Sequence, residues 1–143
     1  MRLFNILFGM TTILLTSSAF AQERILTAEQ TPQKIRSYLQ AHFPENKILM
    51  VKEDKERSKI DYEVKLDGRI ELKFDKNFVI KDIESKKALP DGVIPQPIRD
   101  YVGEKYPNTA IVSWEKEKRK QKVELDNGLD LEFDLNGRFI RLD

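Results

Sequence analysis

The sequence predicts an α+β protein made of two tandem αβ4 repeats. Side by side, these form an antiparallel sheet of eight strands, with both helices on one face and the other face open to solvent. Three observations predict it. The mature chain repeats itself. Each copy passes from helical to two-residue hydrophobic periodicity. Turn signals separate the two-residue segments. In the repeat, residues 31–51 align without a gap on 94–114, and 64–84 on 123–143. Fourteen of the 42 aligned positions are identical, against roughly one in fifteen for average composition. The offset falls from 63 to 59 between the blocks, which implies a hairpin loop four residues shorter in the second copy.

Each copy opens with a helix. Ile35, Tyr38, Leu39, His42 and Phe43 share one helical face, as do Ile98, Tyr101, Val102, Lys105 and Tyr106. Thr31 is the expected N-cap, with Pro32 at the first helical position. Pro44 and Pro107 end the two helices, because proline lacks the N–H a further turn needs.

Four strands follow each helix. The first covers about 47–53 and 110–115. In the next two, Ile60, Tyr62, Val64 and Leu66, then Ile70, Leu72 and Phe74, alternate with charged residues. The second copy matches them with Val123, Leu125, Leu129, Leu131 and Phe133. Strict alternation marks strands with one buried and one wet face. The last strand covers about 79–83 and 138–142. Asp126-Asn127-Gly128 and Leu135-Asn136-Gly137 must be three-residue loops, because a two-residue loop would turn one strand of each hairpin inside out.

The N-terminus reads as a secretory signal peptide over 1–21. Arg2 precedes a short apolar run, and Ala19-Phe20-Ala21 supplies a cleavage site after Ala21. The remaining organisation is 22–84 for the first repeat, 85–93 for a linker and 94–143 for the second repeat. The mature 122 residues hold 24 basic and 24 acidic side chains, which argues against a nucleic-acid binder. No membrane span follows signal cleavage. Without cysteine, stability must come from an ordinary core.

No catalytic, cofactor or metal motif stands out, and none is assigned. His42 is the sole histidine, so neither a triad nor a multi-histidine site can form. The strand carboxylates interleave with lysines, as on a solvated sheet face. Asp134-Leu135-Asn136-Gly137 lacks the further oxygen ligands of a calcium loop. The basic run within Glu115–Lys122 reads as a solvated hairpin tip or a contact for an acidic partner.

One irregularity remains. If Ile80 and Phe139 face the core, simple alternation turns Val79, Ile83, Ile140 and Leu142 toward the charged side. A β-bulge or an oligomer contact would explain it. So would an apolar patch on the open face that receives a partner. Trp114 joins such a patch if its strand register points that way. These five residues are the candidate partner-binding set.

The helix motif Pro-x-x-Ile-x-x-Tyr-Leu/Val ending in Phe/Tyr-Pro, the Asp-Gly or Asn-Gly hairpin and the Leu-x-Phe-Asp-x-Asn stretch recur in both copies. With the signal peptide, they make the chain resemble the β-lactamase-inhibitor-like, PepSY-like family of exported bacterial proteins, over roughly residues 27–143. The resemblance implies a tandem αβ4 fold in the periplasm. It also implies a non-enzymatic binding module, inhibitor-like toward a peptidase or hydrolase, acting on an unknown protein partner in the cell envelope through its open sheet face. The alternative is a structural or envelope-stress protein that uses that face for self-association or ions.

Overall fold

The computed structural model describes residues 22–57 and 59–143. The predicted signal peptide, 1–21, lies outside the described residues. The elements run β1 (Gln22–Ile25), α1 (Gln33–His42), β2 (Ile48–Glu56), β3 (Lys59–Leu66), β4 (Ile70–Asp75) and β5 (Ile80–Glu84). A 3-10 turn (Asp91–Val93) leads to α2 (Gln96–Lys105), β6 (Ile111–Lys116), β7 (Lys120–Leu125), β8 (Asp130–Asp134) and β9 (Phe139–Leu142). All nine strands form one antiparallel sheet whose spatial order is the sequence order.

The two αβ4 units and the single sheet are as expected. β1 is the addition. Its four residues show no hydrophobic alternation, so sequence periodicity does not reveal it. Pairing to β2 and charge hold it in place: Arg24 meets Glu53 at 3.4 Å and Glu23 meets Lys52 at 3.3 Å. The buried Leu26 follows directly.

Cross-strand partners share a face, which fixes the core. One apolar row crosses the sheet from Val51 through Val64, Leu72, Ile83, Trp114, Val123 and Leu131 to Leu142. All but the last are buried. Both helices lie on this side. Ile35 and Leu39 of α1, and Ile98 and Val102 of α2, are buried. Tyr38 sets its ring edge-on to Phe74 at 5.4 Å, and Tyr101 does the same to Phe133 at 5.5 Å. Burial pushes the Tyr38 hydroxyl pKa up to about 12.

Thr31 does not cap α1. Pro32 holds the N-cap position, and the Thr31 hydroxyl instead donates to the Thr27 carbonyl at 2.8 Å. His42 is half-buried, its ring 4.5 Å from Tyr38 and against the Gly92 backbone of the linker.

The hairpin difference also has another source than the expected one. The second copy does not have the shorter loop; its strands are shorter. Lys55 opposite Ile60 and Glu56 opposite Lys59 are two cross-strand pairs of the first hairpin. The second hairpin ends before any counterpart, at Glu117 N–H to Lys120 carbonyl (2.9 Å). The three-residue loops form as predicted: the Leu125 N–H donates to the Leu129 carbonyl, and that of Asp134 to the Arg138 carbonyl.

Candidate interaction surface

Four β-bulges set which side chains reach each face. Leu49, Lys81, Val112 and Ile140 each stand as an extra residue between paired neighbours. They fall at matching positions of the two repeats. An extra residue shifts the alternation by one. Lys81 therefore lets both Ile80 and Ile83 face the helices.

This corrects the placement of two candidate residues. Ile83 is 0% exposed and Trp114 is 4% exposed, side by side in the core row at the seam between the repeats. Neither reaches the charged face, because the bulges restore phase there. The Trp114 indole N–H donates to Gln121 Oε1 at 3.0 Å, and the Gln121 amide donates to the Asp134 carbonyl at 3.1 Å. Val79, Ile140 and Leu142 are half-exposed. Leu142 lies on the helix side, opposite Leu131, at the free edge. The five residues thus form no common patch.

The open face is charged, in rows that run across the strands. The central row reads Lys52, Glu63, Lys73, Asp82, Glu115, Lys122, Glu132, Arg141. Neighbours of opposite sign support each other across strands. Lys52 meets Glu63 at 3.0 Å and Lys73 meets Asp82 at 3.2 Å. The alternation fails once, at the seam, where Asp82 faces Glu115. Burial, then the Asp82 and Glu117 charges, hold the Glu115 carboxyl above its usual range.

Beside it lies a more acidic row: Lys65, Glu71, Glu84, Ser113, Glu124, Asp130. Its middle lines an open groove of about 750 Å³, whose walls carry Glu71, Glu84 and Glu124 together with Lys65, Arg69 and Lys86. Lys65 neutralises Glu71 at 3.3 Å. Glu84 and Glu124 are exposed and form no ion pair among the described residues.

Two of the five bases in the run at the β6–β7 hairpin, Lys120 and Lys122, form ion pairs. Lys120, Lys122 (3.5 Å) and Arg141 (2.9 Å) converge on Glu132, which is buried on the open side beneath them. The Lys120 hydrogen bond, then the Arg141 charge, hold the Glu132 carboxyl below its ordinary value. A depressed carboxylate stabilises the fold above its unfolded pKa and loses that contribution as pH falls through the folded one. Glu132→Gln should therefore flatten the acid limb of stability against pH, measured by urea denaturation between neutral pH and pH 3. An unchanged limb would refute this.

Among the described residues, no group of three or more His, Cys, Asp or Glu is arranged to hold a metal ion. No described helix is long and apolar enough to cross a membrane.

The fold and surface define a class: a tandem open-sheet protein with helices on one face and a charged, grooved opposite face. The chain belongs to the family described as "putative beta-lactamase-inhibitor-like, PepSY-like", whose model matches it twice, over 20–82 and 81–141. Three solved structures share the fold at a TM-score of 0.80, each with 85% of this chain covered. A "putative periplasmic protein" from Bacteroides vulgatus ATCC 8482 is 30% identical and 96% covered. A "putative calcium-regulated periplasmic protein" from Bacteroides thetaiotaomicron is 27% identical and 96% covered. A second B. vulgatus protein, described as a "putative periplasmic protein of unknown function", is 28% identical and 99% covered. No curated protein matches the chain.

Proposed function

We propose that this chain is an exported, non-enzymatic binding module of the periplasm that presents its open sheet face to a protein partner in the manner of an inhibitor. The groove carries the reading. A concave site on an uncovered sheet face, bearing the unpaired carboxylates of Glu84 and Glu124 as well as the cations Arg69 and Lys86, suits a partner surface of mixed charge whose basic groups meet the two carboxylates. The periplasmic descriptions of the similar structures and the predicted cleavage after Ala21 support the location.

The test is affinity capture from periplasm with the mature protein and with Glu84→Lys/Glu124→Lys. The wild type should retain a stoichiometric heterologous protein. The double variant should bind it at least about tenfold more weakly, with an unchanged melting curve. Capture of self-copies alone, or equal binding by both forms, would overturn the reading.

A second reading has one observation behind it. Glu23, Asp54, Asp61 and Asp75 form a cross-strand row of acids on the same face; Lys52, Lys59 and Lys81 pair with Glu23, Asp61 and Asp75, while Asp54 Oδ1 has no hydrogen-bond partner. A similar protein is described as calcium-regulated. In this reading, a structural or envelope-stress protein uses the face for ions or self-association. A melting temperature that rises with calcium and returns with EDTA would favour it; no change would remove the ion form.

A further inference from the structure

The repeat supplies an internal comparison between a covered strand and an uncovered one. β5 and β9 are the same strand of the unit, with Ile80, Lys81, Asp82 and Ile83 matching Phe139, Ile140, Arg141 and Leu142. β6 covers β5: Asp82 faces Glu115, Ile83 faces Trp114 and Glu84 faces Ser113. β9 has a neighbour on one side only among the described residues. The consequence shows at one position. Ile83 is fully buried, whereas its counterpart Leu142 is 50% exposed at the end of the same apolar row.

The bulge residues point the same way. The covered strand carries Lys81, and the free one carries Ile140, 49% exposed. Free edges are usually blunted by charge, lysine above all. Of the two edges, β1 carries two charged residues, Glu23 and Arg24, beside the exposed Ile25, whereas β9 carries one, Arg141, between the exposed Ile140 and Leu142.

We propose that β9 docks an extended segment of a partner protein as a tenth, antiparallel strand. Its occupant carries a large apolar residue opposite Leu142 and an acidic residue opposite Arg141. The apolar residue takes the place that Trp114 holds beside Ile83. The acid continues the alternation of Lys122, Glu132 and Arg141, as a complementary charge across strands does. Backbone pairing supplies affinity, and the alternate side chains supply selection. A second copy of the chain fits less well. β1 and β9 run in the same direction, so a copy joined through β1 with its helices on the same face pairs parallel and sets Arg24 on the side where Leu142 needs an apolar neighbour. In a pairing of β9 with a second β9, the acid opposite Arg141 would be Asp143, which Lys122 already draws back at 2.6 Å.

The probe is a fluorescent peptide of residues 110–117, which carries the covering sequence Ser113-Trp114-Glu115. It is titrated into the full mature protein by anisotropy, with sedimentation velocity alongside. Saturable one-to-one binding is expected, weakened at least about tenfold by Leu142→Lys. Arg141→Glu should weaken it too, and a peptide with lysine in place of its Trp-following glutamate should rescue that variant. Glu84→Lys/Glu124→Lys should bind the peptide as wild type does, so this site and the open face fail or succeed separately. Three results would overturn the proposal: no binding at millimolar peptide, binding indifferent to Leu142→Lys, or a concentration-dependent dimer that Leu142→Lys dissolves.

Discussion

Replacing Trp114 by alanine will cost the fold about 3–5 kcal/mol, the usual range for deleting a buried aromatic. That is roughly 10–20 °C in melting temperature for a domain of this size. The indole is buried between Ile83 and Val123, where the two repeats meet. Its removal also leaves Gln121 Oε1 without its donor. Trp114→Phe separates the terms: it keeps most of the volume and should lose only about 1–2 kcal/mol, mainly for the unpaired acceptor. Thermal and urea denaturation followed by circular dichroism would measure both. A near-neutral Trp114→Ala would contradict the core position and restore the tryptophan to the surface.

Gly137→Ala will destabilise far more than Gly128→Ala, although both glycines close three-residue loops with φ near +80° (82° and 84°). The left-handed conformation costs an alanine about 1 kcal/mol at either site. Space separates them. A Cβ at Gly128 meets nothing within 4 Å, while one at Gly137 would lie 2.8 Å from Pro97 Cβ, at the start of α2. The loop or the helix must move, and overpacking of this kind adds about 1–3 kcal/mol. The first repeat has Phe78 at the corresponding place, also left-handed (φ 63°), packed 5.2 Å from Tyr62. Equal melting temperatures for the two alanine variants would show that the β8–β9 loop does not seat on α2 as described.

The architecture was legible because it was written twice. Identities at paired positions separated core from surface, and the loops fixed which alternating set faced inward. Thr31 looked like a cap because its residue type suits one, but residue type does not disclose that the Thr27 carbonyl is within reach. β1 escaped notice because charge pairing and a neighbouring edge hold it, and neither leaves a periodic trace.

The candidate surface was harder to read, for one physical reason. A bulge inserts a residue without altering composition, so alternation read past it assigns every later side chain to the wrong face. Alternation read past Lys81 puts Ile83 on the charged face, and Trp114, its cross-strand partner, goes with it. A signal was available: Ile80 and Ile83 are three apart, as are Phe139 and Leu142. An odd spacing of apolar residues at the same place in both copies points to a shared insertion. The groove on the open face had no signal of this kind, because it depends on strands brought side by side from both repeats.

The spatial order of the strands bears on how the chain acquires its shape. Each strand pairs only with its neighbours in sequence, so no edge waits for a distant partner. Such local pairing keeps loop-closure entropy small and favours rapid assembly. A polypeptide that becomes available N-terminus first can lay each new strand on the one before it. Two junctions must wait for a helix: β1 for α1 and β2, and β5 for the linker, α2 and β6. The second pause leaves Ile83 bare at a temporary edge until Trp114 arrives.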